Sequence, residues 1–231
     1  MQAALQTVSA MYNDSRGNAM RYTHAFFDLD GTLTESGPGI IHSFRYALAQ
    51  LGMDPDGFDL SRVIGPPLSY SFRSFGIAED RIPEAVRLYR HLYNDTGKYE
   101  NLPYAGIEEM LAALKAAGVK LYVATSKPEG LAKDILAHFR LDHYFEIIAG
   151  AAPDGTRSSK QAVLEYLMEQ IITLPDAVMI GDTVFDIEGA AAVDLPAIGV
   201  CWGYGNTEET KKAGAAAIAH TPAELTDFIL G

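Results

Sequence analysis

Phe26-Phe27-Asp28-Leu29-Asp30-Gly31-Thr32-Leu33-Thr34 decides how this chain is read: an apolar strand ends in two carboxylates separated by a single residue, followed by a glycine. Side chains along a strand alternate between faces, so Asp28 and Asp30 project the same way as the chain leaves the strand, and Gly31 permits an abrupt turn. Two anions held side by side favour a bound cation. An Asp-Gly step after a hydrophobic strand is also an ordinary turn signal, so the stretch takes its meaning from the rest of the chain.

From about residue 103 onward, helical and strand patterns alternate. Ile107, Met110, Leu111 and Leu114 make one helical face, Gly118 marks the helix stop, and residues 119–124 come next as a strand. Further strands are expected at 144–149, 177–181, 196–200 and 215–218, with helices at 128–138, 159–171, 184–192, 207–213 and 222–230. Strands alternating with helices at this spacing predict an α/β fold, a Rossmann-like parallel sheet with helices on both faces. Between the first strand and residue 103 the alternation stops, and 38–51, 67–75 and 82–95 read as helices. A bare loop of that length is implausible in a compact domain. The expected organisation is therefore an N-terminal extension (1–20), a core made of 21–36 and 103–231, and an inserted helical cap domain (37–102) beside the sheet's carboxyl edge.

Open parallel sheets bind ligands outside the carboxyl ends of their strands, so the loops after residues 27, 124, 180 and 200 should share one crevice. Three more segments end there. Ala124-Thr125-Ser126-Lys127-Pro128 offers hydroxyls, backbone donors and an ammonium where the next helix begins; Thr125 or Ser126 could equally cap that helix. Asp154-Gly155-Thr156-Arg157-Ser158-Ser159-Lys160 places Lys160 near a helix start, where the macrodipole does not favour a cation. Ala177-Val178-Met179-Ile180-Gly181-Asp182-Thr183-Val184-Phe185-Asp186 is an apolar strand leading into two acids four residues apart. Capping explains either acid singly but explains less well why such a pair comes after a buried strand at the expected crevice.

Taken together, these four segments, in this order, resemble the motifs of the haloacid dehalogenase-like superfamily of aspartyl-phosphate phosphatases over residues 22–230. The helical insert, Ile64-Gly65-Pro66-Pro67-Leu68, Tyr104-Ala105-Gly106-Ile107 and Trp202-Gly203-Tyr204-Gly205 look like its phosphoglycolate phosphatase-like branch, with further similarity to bacterial 5′-nucleotidases. The resemblance implies an Mg²⁺-dependent phosphatase acting on a small phosphorylated metabolite, of the phosphoglycolate or nucleoside monophosphate type. It implies Asp28 as nucleophile and metal ligand, and Asp30 as acid/base and, through its main-chain carbonyl, metal ligand. Asp182 would be the third metal ligand, with Thr125, Ser126 and Lys160 binding phosphate. Asp186 is implied as either a further ligand through water or the partner that orients Lys160, and Arg157 as a weaker salt-bridging or substrate-facing candidate. Dehalogenases of the same family lack an acid at the position of Asp30 and need no metal.

The same fold leaves alternatives open: a sugar-phosphate mutase, a pyrophosphatase, or a non-catalytic phosphate-binding module. The insert is expected to close over the crevice and set specificity, with Arg45, Arg62, Arg73 and Gly65-Pro66-Pro67 as candidates and Tyr89, Tyr93 and Tyr99 as packing residues. His42, His91, His138 and His143 share no metal-ligand spacing. With 231 residues, 48% of them hydrophobic, the chain can build a packed core. Its formal net charge of −12 argues against nucleic acid or an anionic membrane surface as partner, so an anionic substrate must be drawn by local cations. Cys201 is the only cysteine, which excludes an internal disulfide; with no long apolar run either, a cytoplasmic location is the default expectation.

Overall fold

The computed structural model describes residues 21–171 and 176–231; the expected extension over residues 1–20 lies outside them. Two compact units divide at residues 33/34 and 102/103. In the first, β1 (His24–Phe27), β2 (Lys120–Pro128), β3 (Ile147–Ala151), β4 (Ala177–Gly181), β5 (Ala197–Val200) and β6 (Ala217–Ala219) form one sheet. Their order is β3-β2-β1-β4-β5-β6 and every pairing is parallel, as the alternating pattern predicts. The strand that ends at Phe27 is thus a central one, flanked by β2 on one side and β4 on the other. Strand order reverses across it, which makes the carboxyl end of β1 the switch point where such sheets bind ligands.

All four residues of β1 are buried, as a strand covered on both faces requires. Ala25 and Phe27 pack with the apolar stripe of α4 (Ile107–Ala116), with α5 (Glu129–His138) and with α9 (Pro222–Leu230). Phe26 turns to the other face and packs with Val163, Leu164 and Leu167 of α6 (Lys160–Gln170) and Ile187 of α7 (Val184–Ala191). α8 (Thr207–Lys212) lies between β5 and β6 in the chain and is capped by Asn206, which accepts from Glu208 and Glu209.

Most expected boundaries lie within two residues of the observed ones, and the larger differences have local causes. β3 starts at Ile147 rather than 144, because Asp142–Tyr144 forms a 3₁₀ turn that places Phe145 in the core. β2 runs on to Pro128 through an irregularity after Ala124, so α5 starts at Glu129 and has no side-chain cap. Neither Thr125 nor Ser126 caps it.

The second unit, Thr34–Leu102, holds α1 (Gly37–Gln50), α2 (Leu68–Ser74) and α3 (Ile82–Asp95), joined by 3₁₀ turns at Pro55–Gly57, Leu60–Val63 and Glu79–Arg81. Phe44 is its centre, with ring centroids 4.7 Å from Phe72 and 4.9 Å from Tyr89. Tyr93 stacks on Tyr89 at 5.3 Å, whereas Tyr99 is exposed. The arginines singled out from the sequence each face an acid of this same unit: Arg45 with Asp56, Arg62 with Asp59 and Arg73 with Glu79.

Candidate active site

Asp28 leaves β1 while its N–H still donates to Ile180 O of β4 at 2.9 Å, so the first acid is placed by the sheet itself. Fully buried Leu29 comes next, and its carbonyl accepts from Thr32 and Leu33, closing a tight turn. Gly31 sits in that turn at φ +83°, and a Cβ there would stand 2.3 Å from Asp182 Oδ2. Both the backbone conformation and the close approach of a carboxylate demand glycine.

Lys160 opens α6, whose cap is Ser159 accepting from the Ala162 N–H at 3.2 Å. Its buried ammonium lies 2.8 Å from Asp28 Oδ1 and 2.8 Å from Asp186 Oδ1, and donates to Ala124 O at 2.7 Å. The lysine thus makes one hydrogen bond, to the main chain, and ion-pair contacts with two carboxylates. Burial disfavours the charged form, but Asp186 and Asp28 outweigh it and raise the lysine above its ordinary pKa. That balance explains a cation at a helix start, where the dipole opposes one.

Asp186 uses its other oxygen to accept from the Thr183 N–H at 3.0 Å and the Thr183 hydroxyl at 2.9 Å. It is fully buried, and the structure places it as the carboxylate that both caps α7 and contacts Lys160. Asp182, also buried, accepts from the Thr32 hydroxyl (3.3 Å), the Tyr204 N–H (2.8 Å) and the Gly205 N–H (3.3 Å). The Trp202 indole donates to Thr32 O at 3.0 Å. The loop after β5, expected from the sequence at the crevice but given no role there, therefore holds Asp182 in position.

Asp28, Asp182 and Asp186 offer ligand oxygens within 4.8 Å of one another. Burial pushes the Asp28 carboxyl up to about 6, against the pull of Lys160 and aided by Asp186 and Asp30. Burial, then Asp186 and Asp28, push Asp182 up to about 7. Buried carboxylates that resist ionisation beside one another suit a hard cation with oxygen ligands. Lys160 touches both Asp28 and Asp186, and Asp182 accepts from Thr32, Tyr204 and Gly205, so protein donors hold each of the three carboxylates in place.

The second motif lies in the extension of β2 beyond Ala124. Thr125 is buried, with its hydroxyl accepting from the Lys127 N–H at 3.2 Å, while Ser126 is exposed. Extended backbone sends alternate side chains to opposite sides, and the buried pair is Thr125 and Lys127. The Lys127 ammonium lies 2.9 Å from Asp30 Oδ1 and 2.7 Å from Oδ2. Sequence reasoning saw that ammonium without giving it a partner; its i+2 spacing from Thr125 in a strand extension was the available signal. Arg157 donates to Gly150 O and Glu129 and covers the Tyr166 ring at 3.9 Å, a salt-bridging rather than substrate-facing placement. Among the described residues, no helix is long and apolar enough to cross a membrane.

A parallel sheet with its switch point at β1, and an aspartate cluster neutralised by one buried lysine, define the class of protein to which this one belongs. The pattern of the haloacid dehalogenase-like hydrolases matches residues 25–200, and the chain belongs to that family. It is 43% identical over 199 residues to a 5′-nucleotidase of Pseudomonas aeruginosa, covering 85% of this chain and 90% of that one. It is also 43% identical over 196 residues to the tyrosine-protein kinase PtkA of Mycobacterium tuberculosis, covering 84% of this chain and 67% of PtkA. The crystal structure of a predicted phosphatase from Clostridium acetobutylicum superposes with a TM-score of 0.82 at 41% identity, covering 89% of this chain and 97% of the other. Within the family, the chain is an enzyme of the phosphoric monoester hydrolase class.

Proposed function

We propose that the enzyme hydrolyses a small phosphomonoester, of the phosphoglycolate or nucleoside monophosphate type, through a phosphoryl group carried on Asp28. The observation that carries this reading is the contact of the Lys160 ammonium with Asp28 Oδ1 at 2.8 Å, in a site where Asp30 leaves the same turn. Asp28 attacks phosphorus and the bond to the leaving oxygen breaks, with Asp30 delivering a proton to that oxygen. In the second half, Asp30 takes a proton from water, the water oxygen attacks phosphorus, and the bond to Asp28 breaks. Lys160 and Thr125 hold charged phosphoryl oxygens, and Asp186 fixes Lys160. Mg²⁺ held by Asp28, Asp182 and the main-chain carbonyl of Asp30 supplies charge neutralisation of the phosphoryl oxygens. The all-oxygen donor set supports that ion. Residues 34–102 are proposed as the cap that sets specificity, and a cytoplasmic setting agrees with one free thiol, Cys201.

The Pseudomonas relative's name supports nucleoside monophosphates among the candidate substrates. A screen of phosphorylated metabolites with Mg²⁺, read as kcat/KM from phosphate release, tests the class, and Asp28→Asn tests the mechanism. The amide fills the same space but cannot attack, so turnover should vanish while the circular dichroism spectrum stays unchanged. Retention of most activity would sink the mechanism. The similarity to PtkA favours a second reading, in which a tyrosine hydroxyl rather than water takes the phosphoryl group. Radiolabelled phosphate retained on protein tyrosine, instead of released to solution, would select it.

A further inference from the structure

Lys127 is a buried lysine that the proposed mechanism leaves unused, and its ammonium is paired with the carboxylate of Asp30. The side chains of the two are 5% and 18% exposed, so the pair is largely withdrawn from solvent screening. Both carboxylate oxygens lie within hydrogen-bond distance of the one ammonium, at 2.9 and 2.7 Å. Lys127 comes from a different strand, β2, and its N–H is tied to the Thr125 hydroxyl at 3.2 Å. Main chain and side chain of this one residue thereby connect Asp30 to Thr125.

We infer that Lys127 is the positioning residue of Asp30, holding its carboxyl group where it exchanges a proton with the leaving-group oxygen and then with water. This rests on the reading of Asp30 as acid/base under the proposed function. Lys127 forms no bond to phosphorus and gives up no proton in either half-reaction. The proton delivered to the leaving oxygen comes from Asp30, and Asp30 regains one from the attacking water. A charge-assisted contact to both oxygens fixes the carboxyl plane, and β2 provides it because its strand extension carries Lys127 on the same side as Thr125.

Leaving-group dependence tests this. kcat/KM reports events up to the first irreversible step, so a nitrophenyl phosphate, whose leaving oxygen needs little protonation, serves as the reference for a simple alkyl phosphate, which needs much. Lys127→Met should lower kcat/KM for the alkyl ester about 10-fold more than for the nitrophenyl ester, a fraction of the roughly 10²–10⁴ that a positioned acid contributes. Lys127→Arg should recover part of that difference. Asp30→Asn should show the same selective loss, and adding Lys127→Met to it should change the alkyl-to-aryl ratio no further. Inorganic phosphate binding, measured calorimetrically, should be retained in Lys127→Met.

Equal losses on both esters together with weakened phosphate binding would overturn the inference and make Lys127 a phosphate ligand. If Asp30→Asn discriminates between the esters and Lys127→Met does not, the inference fails alone. If Asp30→Asn does not discriminate, the acid/base reading fails and the inference with it. Should Lys127→Met fold poorly, the comparison of Lys127→Arg with wild type decides, since an unchanged alkyl-to-aryl ratio there, with activity on both esters equally reduced, refutes positioning.

Discussion

Replacing Lys160 by Met removes the one cation, among the described residues, that touches two of the three clustered carboxylates. The side chains of Lys160, Asp28 and Asp186 are 4%, 13% and 1% exposed, so water cannot readily take over the lost contacts. Removing one partner of a buried ion pair costs about 3–5 kcal/mol, and for a protein of this size each kcal/mol is about 2–4 °C, so Tm should fall by about 6–20 °C. The fall should also depend on pH. Of the carboxyl groups that Lys160 touches, Asp28 is pushed by burial up to about 6, above the ordinary 3.8. A carboxyl group whose folded pKa is raised contributes stability that is complete below its ordinary pKa and is lost as pH rises through the folded value. At pH 5 a protonated Asp28 needs no counter-charge from Lys160; at pH 8 the ionised group does, and the variant cannot supply it. Calorimetric unfolding in EDTA should therefore find a larger deficit at pH 8 than at pH 5. A deficit of equal size at both would show that Lys160 stabilises through its apolar stem and would refute the electrostatic account. Turnover should be lost at either pH.

Protons and a divalent cation compete for Asp28 and Asp182, so the rise in Tm produced by a fixed Mg²⁺ concentration should be larger at pH 8 than at pH 5.5; scanning fluorimetry with and without EDTA measures it, and equal rises would contradict the proposed ligand set. Gly31→Ala combines a left-handed backbone at φ +83° with a Cβ 2.3 Å from Asp182 Oδ2, so Mg²⁺ affinity by titration calorimetry should drop along with about 1–2 kcal/mol of stability. Wild-type affinity in that variant would show that Asp182 is not held by the turn.

Much of the fold was legible because each layer of the first unit repeats a local rule. A short apolar strand, a turn residue and a helix with one apolar stripe recur from residue 103 onward, and each can be recognised within its own window. Strand ends were less legible. The apolar run of β2 stops at Ala124, yet the strand continues to Pro128, because Thr125 and Lys127 find buried partners that hydrophobic periodicity does not register. The start of β3 was misplaced for the converse reason: Tyr144 and Phe145 have strand-like chemistry but serve a 3₁₀ turn and the core.

The amino-acid sequence by itself determined which side chains are available and at which strand ends they emerge, since alternation along a strand and the carboxyl-edge rule for parallel sheets are local and topological facts. Asp28, Asp30, Thr125, Asp182 and Asp186 emerge at such strand ends, whereas Lys160, near a helix start, took its role from the resemblance alone. Only the tertiary structure decided who meets whom. It joined Lys160 to Asp28 and Asp186, wrapped the Trp202–Gly205 loop around Asp182, and gave Asp30 to Lys127, a residue 97 positions away. Those pairings depend on strand order and on burial, which sets how strongly each charge needs a partner, and neither is written in any single stretch of the chain.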